Sequence, residues 1–129
     1  MENWKKIVLI ISILIFVITL DLLLYFKTDK LMVDTQYDLI DLENKIDAKN
    51  IEESKKAADK LNKNWEDTEN MLSFFIEHEE IENVSLKIVT IKENTKNEEL
   101  ENALEDIAET KHLLEHIKNK YNLNLKNIF

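Results

Sequence analysis

The 129-residue chain contains no glycine, no proline, no cysteine and no arginine. Average usage would supply roughly 9 glycines and 6 prolines in a chain of this length. Without them, tight hairpin turns and glycine-rich phosphate loops lose the residues they are built from, which argues against hairpin-rich β folds and nucleotide cradles. The missing arginine, beside abundant Ile, Lys and Asn, fits an AT-rich coding bias that depletes Gly, Pro, Ala and Arg together. The turns are then expected to fall to Asn and Asp, and the fold class is all-α. The lack of cysteine excludes disulfides, thiolate metal sites and a lipoprotein anchor, and leaves the redox compartment undetermined.

The net charge is −9. Lys5, Lys6 and Glu2 precede the first apolar run and Asp21 lies within it, so the remainder carries 15 lysines against 24 acids, again −9. An acidic surface without arginine argues against nucleic acid and anionic lipid as partners, and permits cations or a basic protein.

Residues 7–26 form a run that is apolar except for Ser12, Thr19 and Asp21. As a helix it covers about 30 Å, the thickness of a bilayer core. Trp4 and Tyr25 bracket it where aromatic side chains favour the interface. The segment after the apolar core, "TLDLLLYFKTDK", has none of the small residues that signal cleavage requires, which points to an uncleaved anchor. Asp21 either reaches the outer headgroups or meets a polar group on a partner's membrane helix. Lys5 and Lys6 on one side balance Lys27 and Lys30 on the other. The short head and long acidic tail then favour a cytoplasmic N-terminus with the C-terminal domain outside. The expected division is a head (1–6), a transmembrane signal anchor (7–26) and an extracytoplasmic bundle (27–129).

Helical periodicity continues beyond the run. Leu31, Leu39, Leu42 and Ile46 share one stripe, so the membrane helix is expected to run on as a stalk until "DAKN". Asn50 followed by Glu53 reads as a capping box. A second helix carries Ile51, Ala58, Leu61, Trp65, Leu72 and Phe75. A new stripe, Ile81, Val84, Ile88 and Ile91, starts out of phase with it. "SFFIEHEEI" thus marks a register break, with His78 closing one helix and Glu79 and Glu80 in the first turn of the next. Thr95 and Glu98 read as another capping box. The last helix places Leu100, Leu104, Ile107, Leu114 and Tyr121 on one face and is expected to end near Asn122. The alternating tail to Ile128 and Phe129 would lie back on the bundle. The architecture expected is an N-terminal transmembrane helix followed by a four-helix antiparallel bundle.

His112 and His116 lie about 120° and 160° from Leu100 at 100° per residue, away from the apolar stripe. Glu105 and Glu109 point the same way, with Glu101 nearby, giving a row of acids and histidines with few basic neighbours. Glu109-x-x-His112 has the spacing of di-iron carboxylate bundles, but those ligands project inward and require a second such motif, which is lacking. The row reads as a solvated face. Its functional alternatives are a partner surface or a cation site, and Asp21, Glu105, Glu109, His112 and His116 are the residues to follow. No cofactor is expected. No nucleophile elbow, zinc helix motif or dinucleotide fingerprint is present, so an enzyme is not expected.

"NKNW" with Trp65, "FFIEHEEI", "LLEHI" and "LKNIF", together with the lysine-led apolar segment, resemble a family of short single-span proteins of clostridia and related spore-formers, the domain of unknown function 4363. The resemblance implies a membrane-anchored protein of unassigned function with no catalytic residues to carry over. It lends support to the role expected here, a non-catalytic accessory or scaffold subunit beside a multi-spanning membrane protein. The rival expectation is an extracytoplasmic cation- or metal-binding protein. Homo-oligomerisation through the stalk is a further one.

Overall fold

The computed structural model describes residues 2–128, with side chains described for residues 2–121. It has four helices: α1 (Glu2–Asp47), α2 (Ile51–Leu72), α3 (His78–Lys96) and α4 (Leu100–Ile128), and no strand among the described residues. The chain divides into two compact units, residues 1–30 and 31–129.

The first unit is the N-terminal part of α1. Its most apolar window has a mean hydropathy of 3.1, and none of that window is buried by the rest of the protein. By length and composition this is one helix able to cross a membrane. Two hydroxyls of its most apolar stretch, those of Ser12 and Thr19, are internally satisfied. Ser12 Oγ donates to the Val8 carbonyl and Thr19 Oγ1 to that of Ile15, both at 2.8 Å. Neither hydroxyl needs water, which is the condition for sitting in hydrocarbon.

In the second unit, four helical segments pack around one core: residues 31–47 of α1, α2, α3 and α4. Each contributes the stripe read from its periodicity: Leu39, Leu42 and Ile46; Ala58, Leu61, Trp65 and Leu72; Ile81, Val84, Ile88 and Ile91; Ile107 and Leu114. These side chains are 4% exposed or less. Full burial of each large aliphatic contributes about 1.5–3 kcal/mol. Cross-helix pairs run antiparallel. Between α2 and α3, Asp59 meets Lys92 and Trp65 meets Ser85, and Lys55 of α2 meets Glu98 in the turn that follows α3. On α3 and α4, Asn94 meets Asp106 and Glu80 meets Lys120. On α1 and α4, Gln36 donates to the Lys111 carbonyl and Lys111 pairs with Glu43.

Helix ends explain most departures from the periodic reading. Asn50 caps α2 by accepting from the Glu53 N–H at 3.2 Å. The return half of the box is not made, because the Asn50 N–H goes to the Lys45 carbonyl and Glu53 pairs with Lys56. Thr95 is not a cap. It lies inside α3, fully buried, and donates to the Ile91 carbonyl at 2.7 Å.

The turns after α1 and α3 are instead two matching Schellman motifs. Lys49 and Glu98 adopt φ of 59° and 60°. Their N–H groups reach Ile46 and Thr95, while the next residues reach back to Lys45 and Asn94. The left-handed positions thus fall to Lys and Glu, not to the Asn and Asp expected. A left-handed side chain costs about 1–2 kcal/mol, and glycine's extra chain entropy about 0.5–1. Lys49→Gly and Glu98→Gly are each expected to stabilise the bundle by roughly 0.5–1 kcal/mol. An unchanged or lower urea midpoint for both would contradict that reading.

α2 stops at Leu72, so the stripe does not reach Phe75. That residue is exposed, as is Ile51, and Ile76 is buried instead. His78 opens α3 and does not close α2. α4 passes Asn122 and continues to Ile128, since nothing in "NLNLKNI" forces a break. The side-chain packing expected of that tail, and Phe129, lie outside the described residues.

Candidate interaction surface

The outward row of α4 is where the periodicity places it. Glu105, Glu109, His112 and His116 are all exposed, while Ile107, Thr110, Leu114 and Ile117 of the same helix face the core. Asp21 is exposed on the first unit, among exposed apolar side chains.

The row is not as free of basic partners as one helix suggests. Lys87 of α3 reaches across to form an ion pair with Glu109 and lies 3.6 Å from Asp106. Asp106 in turn accepts from Asn94 at 2.8 Å. The Glu109 carboxylate, with Asp106 behind it, raises the Lys87 ammonium above its ordinary 10.5. Lys87, Ala108, Glu109, His112 and Leu113 line an open depression between α3 and α4. Among the described residues, Glu105, His112 and His116 enter no ion pair, and no three His, Cys, Asp or Glu side chains converge as a ligand set.

A second cluster gathers where α2 meets α3. Lys120 lies 3.1 Å from Glu80 and 3.7 Å from Glu77. Tyr121 Oη accepts from the Glu77 N–H at 3.0 Å and donates to Glu80. Hydrogen bonding to Glu80, with Glu77 adding its charge, raises the Lys120 pKa as well. His78 stands beside this cluster, highly exposed, with Glu82 at 3.6 Å as a partner when protonated. It has a structural use at the helix start, as the register break indicates.

Both lysines stabilise the fold most while protonated. Their folded pKa values are raised, so the contribution is complete below about 10.5 and is lost as pH rises through the folded values. A small fall in urea midpoint is expected above about pH 10.5, small because both side chains remain a third or more exposed. Lys87→Met is expected to flatten that fall. An equal fall in the variant would remove Lys87 from the account.

Periodicity missed the outer surface of α3, where Leu86 and Val89 are exposed, and the exposed Phe74–Phe75 pair. Both were visible in principle. Leu86 and Val89 sit off the Ile81/Val84/Ile88/Ile91 stripe, and "FFI" offers three large apolar residues to a connection with room to bury one.

The fold and surface define an all-α protein in which one apolar helical segment precedes, along the chain, a four-helix antiparallel bundle. The domain of unknown function DUF4363 matches residues 22–128. The chain belongs to this family. The match takes in "NKNW", "FFIEHEEI", "LLEHI" and all but the last residue of "LKNIF", and begins inside the apolar run. No curated protein and no solved structure matches the chain.

Proposed function

We propose that this is a single-pass cell-membrane protein with a cytoplasmic N-terminus and its bundle outside, acting as a non-catalytic accessory or scaffold subunit of a membrane complex. The observation that carries the reading is the apolar window of α1, none of which is buried by the rest of the protein. Burial stabilises apolar surface at about 25 cal/mol per Å², so a run of this length left in water would be costly. Lipid or a partner's membrane helix is the cover it suits. The lysine-bearing head is short and the acidic bundle long, which favours the stated orientation.

The bundle's interior supports a scaffold more than a catalyst. Among the described residues its buried polar side chains are Thr35, Ser54, Thr68, Thr95 and Thr110. Each donates its hydroxyl to the carbonyl four residues earlier, for Ser54 that of the capping Asn50. The cation-binding alternative has less support, because Lys87 already engages Glu109 and leaves His112 and His116 with Glu105 alone.

The test is affinity capture of the tagged full-length chain from its native membranes in mild detergent, read by mass spectrometry. One stoichiometric multi-spanning membrane protein is expected, and Asp21→Leu should lower its yield if the carboxylate meets that partner within the bilayer. Recovery of the chain alone, or only as a self-oligomer, would contradict the accessory role. About one equivalent of bound metal in untagged protein would favour the cation reading instead.

A further inference from the structure

The two ends of the bundle differ in kind. At one end lie the Schellman turns, whose residues are Ala48, Lys49, Asn50, Asn97, Glu98 and Glu99. At the other lies the α2–α3 connection, with Phe74 79% exposed, Phe75 40% exposed and their ring centroids 6.5 Å apart. This second end is the one at which the bundle begins. Leu31 and Thr35 line a groove with Asp67 and Thr68 of α2, and Asp38 accepts from Asn64 further along. α2 runs from Thr68 to Leu72, about 6 Å more, before the connection starts, so the phenylalanines lie at or past the level of Leu31.

The chain itself limits how far this end is from the apolar run. Only residues 27–30 separate Phe26 from Leu31, a span of at most about 18 Å. If residues 7–26 cross the bilayer, the Phe74–Phe75 end is within reach of the outer headgroups. The opposite end is not brought there by any such short tether.

The connection is also prepared to leave water. From Ser73 to Glu77 every backbone N–H has an internal acceptor: Glu69, Met71, Leu72, Leu72 again for Ile76, and the Tyr121 hydroxyl. Burying these amides in an interface would leave no donor orphaned. Ile76 is buried in the core and holds the connection in place. Two of the acids behind it, Glu77 and Glu80, are engaged by Lys120.

We propose that the Phe74–Phe75 connection is a second, peripheral membrane contact, inserting its two rings into the outer lipid interface. The inference rests on the membrane-spanning reading of residues 7–26. Its driving force is apolar, so it should persist on uncharged lipid and at high salt.

The cysteine-free chain allows one-site labelling. Phe74→Cys, Lys49→Cys and Ser12→Cys, each carrying an environment-sensitive fluorophore, are reconstituted as full-length protein in phosphatidylcholine vesicles. Ser12 reports the span and Lys49 the far end of the bundle. The expected result is blue-shifted emission at positions 74 and 12, quenched when the lipid chains are brominated, with a water-like, unquenched signal at 49. A water-like signal at 74 beside a lipid-shielded 12 would overturn the contact and leave the span intact. Shielding at 74 without quenching by brominated lipid would overturn it in favour of a protein contact, a second copy included. A water-like signal at 12 would overturn the span and the contact together. Phe74 is exposed, so its substitution should leave the bundle folded. A Phe74→Ser/Phe75→Ser pair with unchanged helical content should lose the shielding reported from a label at Ser73→Cys.

Discussion

Trp65→Ala should lower the unfolding free energy of the bundle by about 3–5 kcal/mol, the largest single-residue effect expected in the molecule. Trp65 is 2% exposed, and its indole Nε1 donates to Ser85 Oγ of α3 at 2.7 Å. Truncation removes the largest side chain in the core and opens a cavity between α2 and α3. Rigid helices on either side cannot fully close it. The hydrogen bond is the smaller share. Ser85→Ala should cost about 1 kcal/mol, since the half-exposed site lets water replace the lost acceptor. Typical domain stabilities are about 5–15 kcal/mol, so the tryptophan alone decides whether the bundle stays folded on mild heating. Urea unfolding of the full chain in mild detergent, followed by circular dichroism, measures both. A Trp65→Ala loss no larger than that of Ser85→Ala would mean the core does not depend on this residue.

Replacing Leu14, Phe16 and Ile18 together with Arg should abolish membrane integration, whereas Leu14→Arg alone should not. The sixteen Ile, Leu, Val and Phe residues of the 7–26 run contribute roughly −0.3 to −0.6 kcal/mol each, on the order of −5 to −10 in sum before the cost of Asp21. Asp21 falls toward the run's end, where a charge costs less than at the centre. One central arginine costs about 2.5–3.5 kcal/mol, which that total absorbs. Three cost about 8–11, and three favourable residues are lost as well. The fraction of chain resisting alkaline extraction from membranes reads the difference. Full resistance of the triple variant, or complete extraction of the single one, would show that insertion is not set by the run's apolarity.

The stripes that build the core follow from a period of 3.6 and were legible for most of their members, from Leu39 on α1 to Leu114 on α4, whereas Ile51 and Phe75 at the ends of α2 were read as core and are exposed. Asn50 was legible as a cap because its side chain, its spacing to Glu53 and the change of stripe agree. Thr95 misled because a Thr three residues before a Glu fits a cap only once the chain has left the previous helix. Here the helix continues, and the hydroxyl bonds backward to Ile91. The left-handed turns at Lys49 and Glu98 were illegible, since the Gly or Asn that usually announces a Schellman turn is replaced there by Lys and Glu. The Glu105/Glu109/His112/His116 row was read correctly as exposed from one helix. Its pairing with Lys87 was not, because a partner on a neighbouring helix has no fixed spacing in the sequence. The same limit hid the Lys120, Glu80 and Tyr121 cluster, in which Glu80 lies forty or so positions from the other two.

The most direct test of a membrane-anchored protein with its bundle outside is thiol labelling in intact cells. Glu2→Cys and Lys49→Cys are expressed separately as full-length chains and exposed to a membrane-impermeant maleimide before and after permeabilisation. The account predicts that position 49 labels in intact cells and position 2 only after permeabilisation. Labelling of position 2 in intact cells, or protection of position 49 until the membrane is opened, would contradict it.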